Sequence, residues 1–240
     1  MKDTIYASED VAASSFEFDD AVAEVFPDML RRSIPGYAAS IQAIGTLAAR
    51  HAQAGTRCYD LGCSLGAATL AIRQNIAVND CRIIAVDSAP AMVERCRGLL
   101  AADKSVAEVS ILEADVREIQ ISRASMVVMN YTLQFLPVDE RADMIRKIHA
   151  GMVDGGVFVL SEKVVDEDPD VEALLVDLHH EFKRRNAYSD LEISRKRAAL
   201  ENVLVPDTVA VHKRRLTDAG FRHSGIWLRY FNFISIVAIK

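Results

Sequence analysis

Between Arg57 and Val164 short apolar runs alternate with stretches of helical periodicity, and this alternation restricts the fold more than any other feature of the chain. Arg57 to Leu61 reads as a strand, Gly62 to Gly66 as a tight turn and Ala67 to Asn75 as a helix. The run Ile83-Ile84-Ala85-Val86 within a second strand, Arg82 to Asp87, suits a strand covered on both faces by helices. Ser88 is placed to cap the next helix, with Pro90 in its first turn. Third, fourth and fifth strands are expected near Glu108 to Leu112, Met126 to Tyr131 and Val157 to Val164. A helix starts near Asp139, and Asp154-Gly155-Gly156 is a turn signal. Such alternation predicts a doubly wound, mostly parallel, seven-stranded Rossmann-like α/β sheet.

The flanks extend this plan. Ile41, Ile44, Leu47 and Ala48 recur at helical spacing, with Gly55 placed to end the helix, so residues 1–55 are expected to be a helical lead-in. A helical insert is expected over about 168–205. Val171, Leu174, Leu175, Leu178 and Phe182 mark its first helix, and Ser189-Asp190-Leu191-Glu192 is a capping box for its second. A last helix ends near Gly220, and Gly225 to Ile239 supplies two closing strands. The 240 residues, half of them apolar, are enough for one core, and a single domain is expected over 1–240.

A net charge of -6 with dispersed basic residues argues against direct nucleic-acid binding. The runs Lys183-Arg184-Arg185 and Arg195-Lys196-Arg197 read as solvated helix faces. No apolar stretch approaches the roughly 20 residues needed to span a bilayer, and Met1 to Asp10 lacks a secretory pattern, so a cytoplasmic protein is expected. Cys58, Cys63, Cys81 and Cys96 show no C-x-x-C spacing and read as small apolar residues. His179 and His180 are adjacent, which on a helix points them apart, so they are not expected to share a metal.

The candidate chemistry gathers at strand ends. Asp60-Leu61-Gly62-Cys63-Ser64-Leu65-Gly66 lies between a strand and a helix, where glycine lets a ligand approach the main chain. Asp87 ends the second strand, placed either to accept from two ribose hydroxyls or to cap a helix. Asp115 follows the third strand and suits an adenine amine, with Val116 against the ring, or a loop cap. Asn130 ends the fourth strand. A dinucleotide stays open on these residues, although the loop lacks G-x-G-x-x-G spacing.

From Arg57 to Ser161 these features resemble the S-adenosylmethionine-dependent methyltransferase superfamily. A closer resemblance runs nearly end to end. Ser33-Ile34-Pro35-Gly36-Tyr37, the segment Asp60 to Thr69, Asn130-Tyr131-Thr132-Leu133-Gln134-Phe135-Leu136 and Leu191-Glu192-Ile193-Ser194-Arg195-Lys196-Arg197 are similar to the carboxy-S-adenosyl-L-methionine synthase family. That resemblance implies ligand contacts from Tyr37, Gly62, Cys63, Ser64, Asp87, Ser88, Asp115, Val116, Asn130 and Arg197. Ser88 stands where the family usually has Asn, and its hydroxyl can still form a hydrogen bond.

The resemblance further implies that S-adenosylmethionine is a substrate, carboxylated on its methyl group with carbon dioxide released from prephenate, and that no metal takes part. Carboxy-S-adenosylmethionine and phenylpyruvate would be the products, the former supplying 5-oxyacetyl modification of the tRNA wobble uridine. Arg197 would anchor the new carboxylate, because a guanidinium stays charged and binds both oxygens, with Tyr37 adding its hydroxyl. A homodimer is implied, in which the equivalent arginine reaches the neighbouring protomer's site. The strand-end carboxylates alone fit two other readings, a methyltransferase acting on a small molecule or RNA and a non-catalytic S-adenosylmethionine-binding subunit.

Overall fold

The computed structural model describes residues 1–7, 16–200 and 203–240, so parts of the expected segments 1–55 and 168–205 lie outside the described residues. Helix α1 (Asp20–Ser33) opens on Asp19, whose carboxylate accepts from Val22 N at 2.8 Å. Helix α2 (Tyr37–His51) begins at the left-handed Gly36, earlier than the Ile41 periodicity suggests, and ends at Ala52 rather than at Gly55. Strand β1 (Arg57–Leu61), α3 (Ala67–Asn75), β2 (Arg82–Asp87), α4 (Pro90–Ala102), β3 (Val109–Glu113), β4 (Ala124–Asn130), α5 (Arg141–Gly151) and β5 (Met152–Val165) follow.

Three expectations are corrected here. Ala89, not Ser88, is the N-cap residue of α4, and no side chain caps it. Between β3 and β4 the chain crosses without a helix, so the alternation skips one turn of its rhythm. The Asp154-Gly155-Gly156 signal does not precede β5 but bulges within it: Ala124 pairs with Met152, and Met126 then pairs with Val157. A Cβ on Gly156 would lie 3.0 Å from the Ala124 carbonyl, so the bulge needs the bare backbone there.

The chain finishes with α6 (Pro169–Arg185), α7 (Asp190–Leu200), β6 (Asp207–Thr208), α8 (Val209–Ala219), β7 (His223–Tyr230) and β8 (Phe233–Ile239). The principal path of the sheet runs β3-β2-β1-β4-β5-β8-β7, with the two-residue β6 an added pairing on β5. All pairings are parallel except those of β8 with β5 and β7.

Strand periodicity distributes the core to both faces. Cys58, Met126, Val128, Val157 and Val159 pack with Ile44 and Ala48 of α2 and Ile72 of α3. Tyr59, Val127, Met129, Phe158 and Leu160 pack with Ile145 and Ile148 of α5 and Leu216 of α8. Each large side chain buried in this way contributes about 1.5–3 kcal/mol. Strand order reverses between β1 and β4, which opens a crevice beyond their carboxyl ends.

Helices α6 and α7 lie over that crevice and are held by α1. The buried Arg32 donates from Nε to the Asn186 carbonyl and from Nη2 to the Ala187 carbonyl, both at 2.6 Å, and its guanidinium lies 3.8 Å from the Tyr188 ring centre. The expected capping box forms: Glu192 N donates to Ser189 Oγ at 3.2 Å, and Ser189 N donates back to Glu192 Oε2 at 2.7 Å. Among the described residues no helix is long and apolar enough to cross a membrane.

Candidate active site

A cavity of about 860 Å³ occupies the crevice, and every site residue expected from the sequence lines it. Its floor is the first turn after β1. Gly62 and Gly66 have φ of 83° and 85°, and a Cβ on Gly62 would overlap the Thr132 side chain. Gly62 N and Cys63 N both donate to the Val86 carbonyl, at 2.8 and 2.9 Å, which fastens the loop to β2.

Asp87 has a double task. Its Oδ2 accepts from Ser64 N at 2.8 Å and its Oδ1 from Ala89 N at 2.9 Å, so it locks the glycine loop and starts α4. Burial raises its pKa. Ser88 beside it is exposed at the rim.

Asp60, on β1 opposite Ala85 and so two residues short of the level of Asp87, is fully buried. Thr69 Oγ1 donates to its Oδ2 at 2.6 Å, and its Oδ1 has no partner among the described residues. Burial pushes the carboxyl up to about 6 against the lowering effect of Thr69. Asn130 Oδ1 is likewise buried and unpartnered. Two orphaned acceptors on one cavity wall suit a multi-donor cation.

Val116 is buried at the far end, next to a half-buried Asp115. Asp115 is not free: Arg117 donates to it from its backbone N at 2.8 Å, from Nε at 3.0 Å to each oxygen, and from Nη2 at 2.6 Å. These bonds hold its carboxyl below the usual range. Arg117 also reaches Glu140 at 2.6 Å, so any further donor must displace part of this fork to reach Asp115.

Tyr37 is half-buried at the first turn of α2, its ring centre 6.4 Å from that of Tyr131. Burial, and then the nearby Asp60, raises the pKa of its hydroxyl. Arg197 is exposed on α7, lines the cavity of its own chain and has no salt-bridge partner among the described residues.

A second set of cavity residues was not foreseen. Lys163 from β5, His179, His180 and Lys183 from α6 and Lys196 from α7 also line the cavity. Lys183 and Lys196 are buried, so the solvated-face expectation fails at these two positions, while Arg184, Arg185 and Arg197 are exposed as expected. Within the apolar stripe of α6, Val171 and Leu174 are 40 % and 57 % exposed and Leu175, Leu178 and Phe182 are half-buried, while His179 and Lys183 turn inward. The signal was present as Val176, His179, His180 and Lys183 at helical spacing, but a polar cavity makes the inward stripe polar, and an apolar search selects the other one.

His179 Nε2 donates to the Ser33 carbonyl at 2.8 Å and its ring meets Phe233 edge-on, so it has a structural role at the cavity wall. Lys196 is engaged too, donating to Ser33 Oγ at 3.1 Å and lying 3.6 Å from Asp3. Burial takes the lysine ammonium groups down, Lys196 to about 8 and Lys183 to about 7. The cavity is therefore bipolar, with Asp60, Asp87 and Asp115 at or just after the ends of β1, β2 and β3 and cations on α6, α7 and β5, while Arg117 and Glu172 also line it.

Comparison with known proteins agrees with this architecture. The family described as "Methyltransferase domain" matches residues 59–156. An O-methyltransferase family protein from Burkholderia thailandensis superposes with a TM-score of 0.69 at 16 % identity, over 93 % of this chain and 60 % of that one. Human N-acetylserotonin methyltransferase, solved in complex with SAM, superposes with a TM-score of 0.55 at 16 % identity, over all of this chain and 63 % of that one. Sequence similarity is far higher to carboxy-S-adenosyl-L-methionine synthases. That of Trichlorobacter lovleyi is 53 % identical over 99 % of this chain and 98 % of its own, and that of Escherichia coli K12 is 53 % identical over 100 % and 97 %. The chain belongs to the carboxy-S-adenosyl-L-methionine synthase family.

Proposed function

We propose that this enzyme converts S-adenosylmethionine and prephenate to carboxy-S-adenosylmethionine and phenylpyruvate, acting in the cytoplasm as a homodimer and supplying the cofactor for 5-oxyacetyl modification of wobble uridine in tRNA. The observation that carries the reading is the bipolar cavity. S-adenosylmethionine brings a single carboxylate of its own, whereas a carboxylated product made from a dicarboxylate adds further anions, which the several cations lining the cavity suit.

On this reading the ammonium of S-adenosylmethionine satisfies the orphaned Asp60 Oδ1 and Asn130 Oδ1. Asp87 accepts from the ribose hydroxyls, Asp115 from the adenine amine, and Val116 packs on the ring. Gly62, Cys63 and Ser64 give the ligand close access to the main chain, and Ser88 closes the rim. The sulfonium acidifies its methyl protons. Prephenate loses carbon dioxide and hydroxide to become phenylpyruvate, the hydroxide takes one methyl proton to form water, and the resulting ylide attacks the carbon dioxide. Each atom is accounted for, and no protein base or metal is required.

Water would quench the ylide, and Phe18, Phe135 and Leu200 along the cavity favour its exclusion. Arg197 pairs with both oxygens of the new carboxylate, and Tyr37 donates its hydroxyl to the same group. The exposed Val171 and Leu174 supply an apolar face suited to the proposed dimer. Arg197→Ala is expected to lower carboxylated product by roughly thirtyfold or more while S-adenosylmethionine binding is retained. A product rate equal to that of the wild type removes Arg197 from the mechanism.

A further inference from the structure

Of the two carboxylates of the donor, one leaves as carbon dioxide and the other stays on phenylpyruvate, and the retained one needs a seat of its own. We propose that Lys183 and Lys163 form that seat, a subsite for the carboxylate that remains on the donor, distinct from the Arg197 anchor for the carboxyl that is transferred. The inference rests on the reaction assigned above.

Lys183 is buried on α6, lines the cavity and has no salt bridge among the described residues. The charged groups acting on it are Lys196, Lys163 and Arg197, all cations. A buried ammonium facing only like charge is an unfavourable arrangement unless a ligand supplies the anion. Lys163, half-buried near the end of β5, lines the same cavity and also lacks a salt bridge among the described residues. Its strand pairs with β4, with Ser161 opposite Asn130, so Lys163 lies one strand over from the expected S-adenosylmethionine contacts and two residues further out.

The other cations are already assigned. Lys196 is bound to Ser33 and Asp3. Glu172 lines the cavity and favours the charge on Lys163, but its Oε2 accepts from Asp166 N at 2.8 Å. His180 is half-buried and is kept neutral-leaning by burial, by Lys183 and by Arg197.

Steady-state kinetics of the full-length enzyme test the subsite. Lys183→Met and, separately, Lys163→Met are expected to raise the KM for prephenate roughly 10- to 100-fold with the S-adenosylmethionine Kd, measured by calorimetry, unchanged. Lys183→Arg should recover much of the loss. In the absence of ligands Lys183→Met should also melt at a higher temperature than the wild type, because it removes an uncompensated buried charge, whereas a structural lysine would melt lower when replaced. An unchanged KM for prephenate in both Met variants, or an equal loss of S-adenosylmethionine affinity, overturns the subsite. Should Lys183→Met fail to fold, Lys163→Met reads the same subsite alone. Wild-type enzyme that forms no carboxylated product overturns the reaction itself, whereas normal wild-type turnover with indifferent variants overturns only the subsite.

Discussion

Asp60 has one oxygen on Thr69 and the other without a partner, and burial has already pushed its carboxyl up to about 6. In the ligand-free protein the raised pKa means that the folded state holds this proton more tightly than the unfolded chain. The stability from it is complete below about pH 4 and is lost as pH rises through about 6. Binding runs the other way, because an ammonium needs the ionised form. Affinity for S-adenosylmethionine is expected to fall roughly tenfold between pH 7 and pH 5, with proton release on binding below pH 6. Asp87 shifts in the same direction, so Asp60→Asn is the discriminating variant: it should flatten most of the pH dependence seen by calorimetry. A profile that Asp60→Asn leaves intact would show that Asp60 does not hold the ammonium. The loop, Asp60 and Asp87 were legible because neighbours in the chain determine them: a strand, two glycines and a helix start. Lys183 was not legible, since a lysine in a charge run is buried only by virtue of the cavity opposite it.

At the scale of elements, α7 carries both Lys196 and Arg197 and starts at a capping box. Ser189→Ala should cost about 1 kcal/mol of stability in denaturant unfolding and lower kcat more than it weakens S-adenosylmethionine binding, since the strand-end contacts do not depend on α7. Equal loss of both would mean that α7 supports the whole site. The capping box was readable from four consecutive residues. The orientation of α6 was not, because apolar periodicity identifies a buried face only where the element covers an apolar core. Val171 and Leu174 point outward here and His179 and Lys183 inward. The missing helix between β3 and β4 and the bulge in β5 were hidden for a related reason: a crossover can close without a helix, and glycines that signal a turn equally permit a strand to bulge.

At the scale of the molecule, β1, β2, β4 and β5 were legible as apolar runs, and their order follows from the doubly wound pattern that places a crevice at the switch between β1 and β4. The net charge of -6 describes the surface field and conceals the internal division between carboxylates and cations. The most direct measurement is mass spectrometry of the purified protein incubated with S-adenosylmethionine and prephenate. The expected product is a sulfonium nucleoside heavier than S-adenosylmethionine by one carbon dioxide, formed in step with phenylpyruvate. S-adenosylhomocysteine formed with a small-molecule or RNA acceptor, or bound S-adenosylmethionine that is never converted, would contradict it.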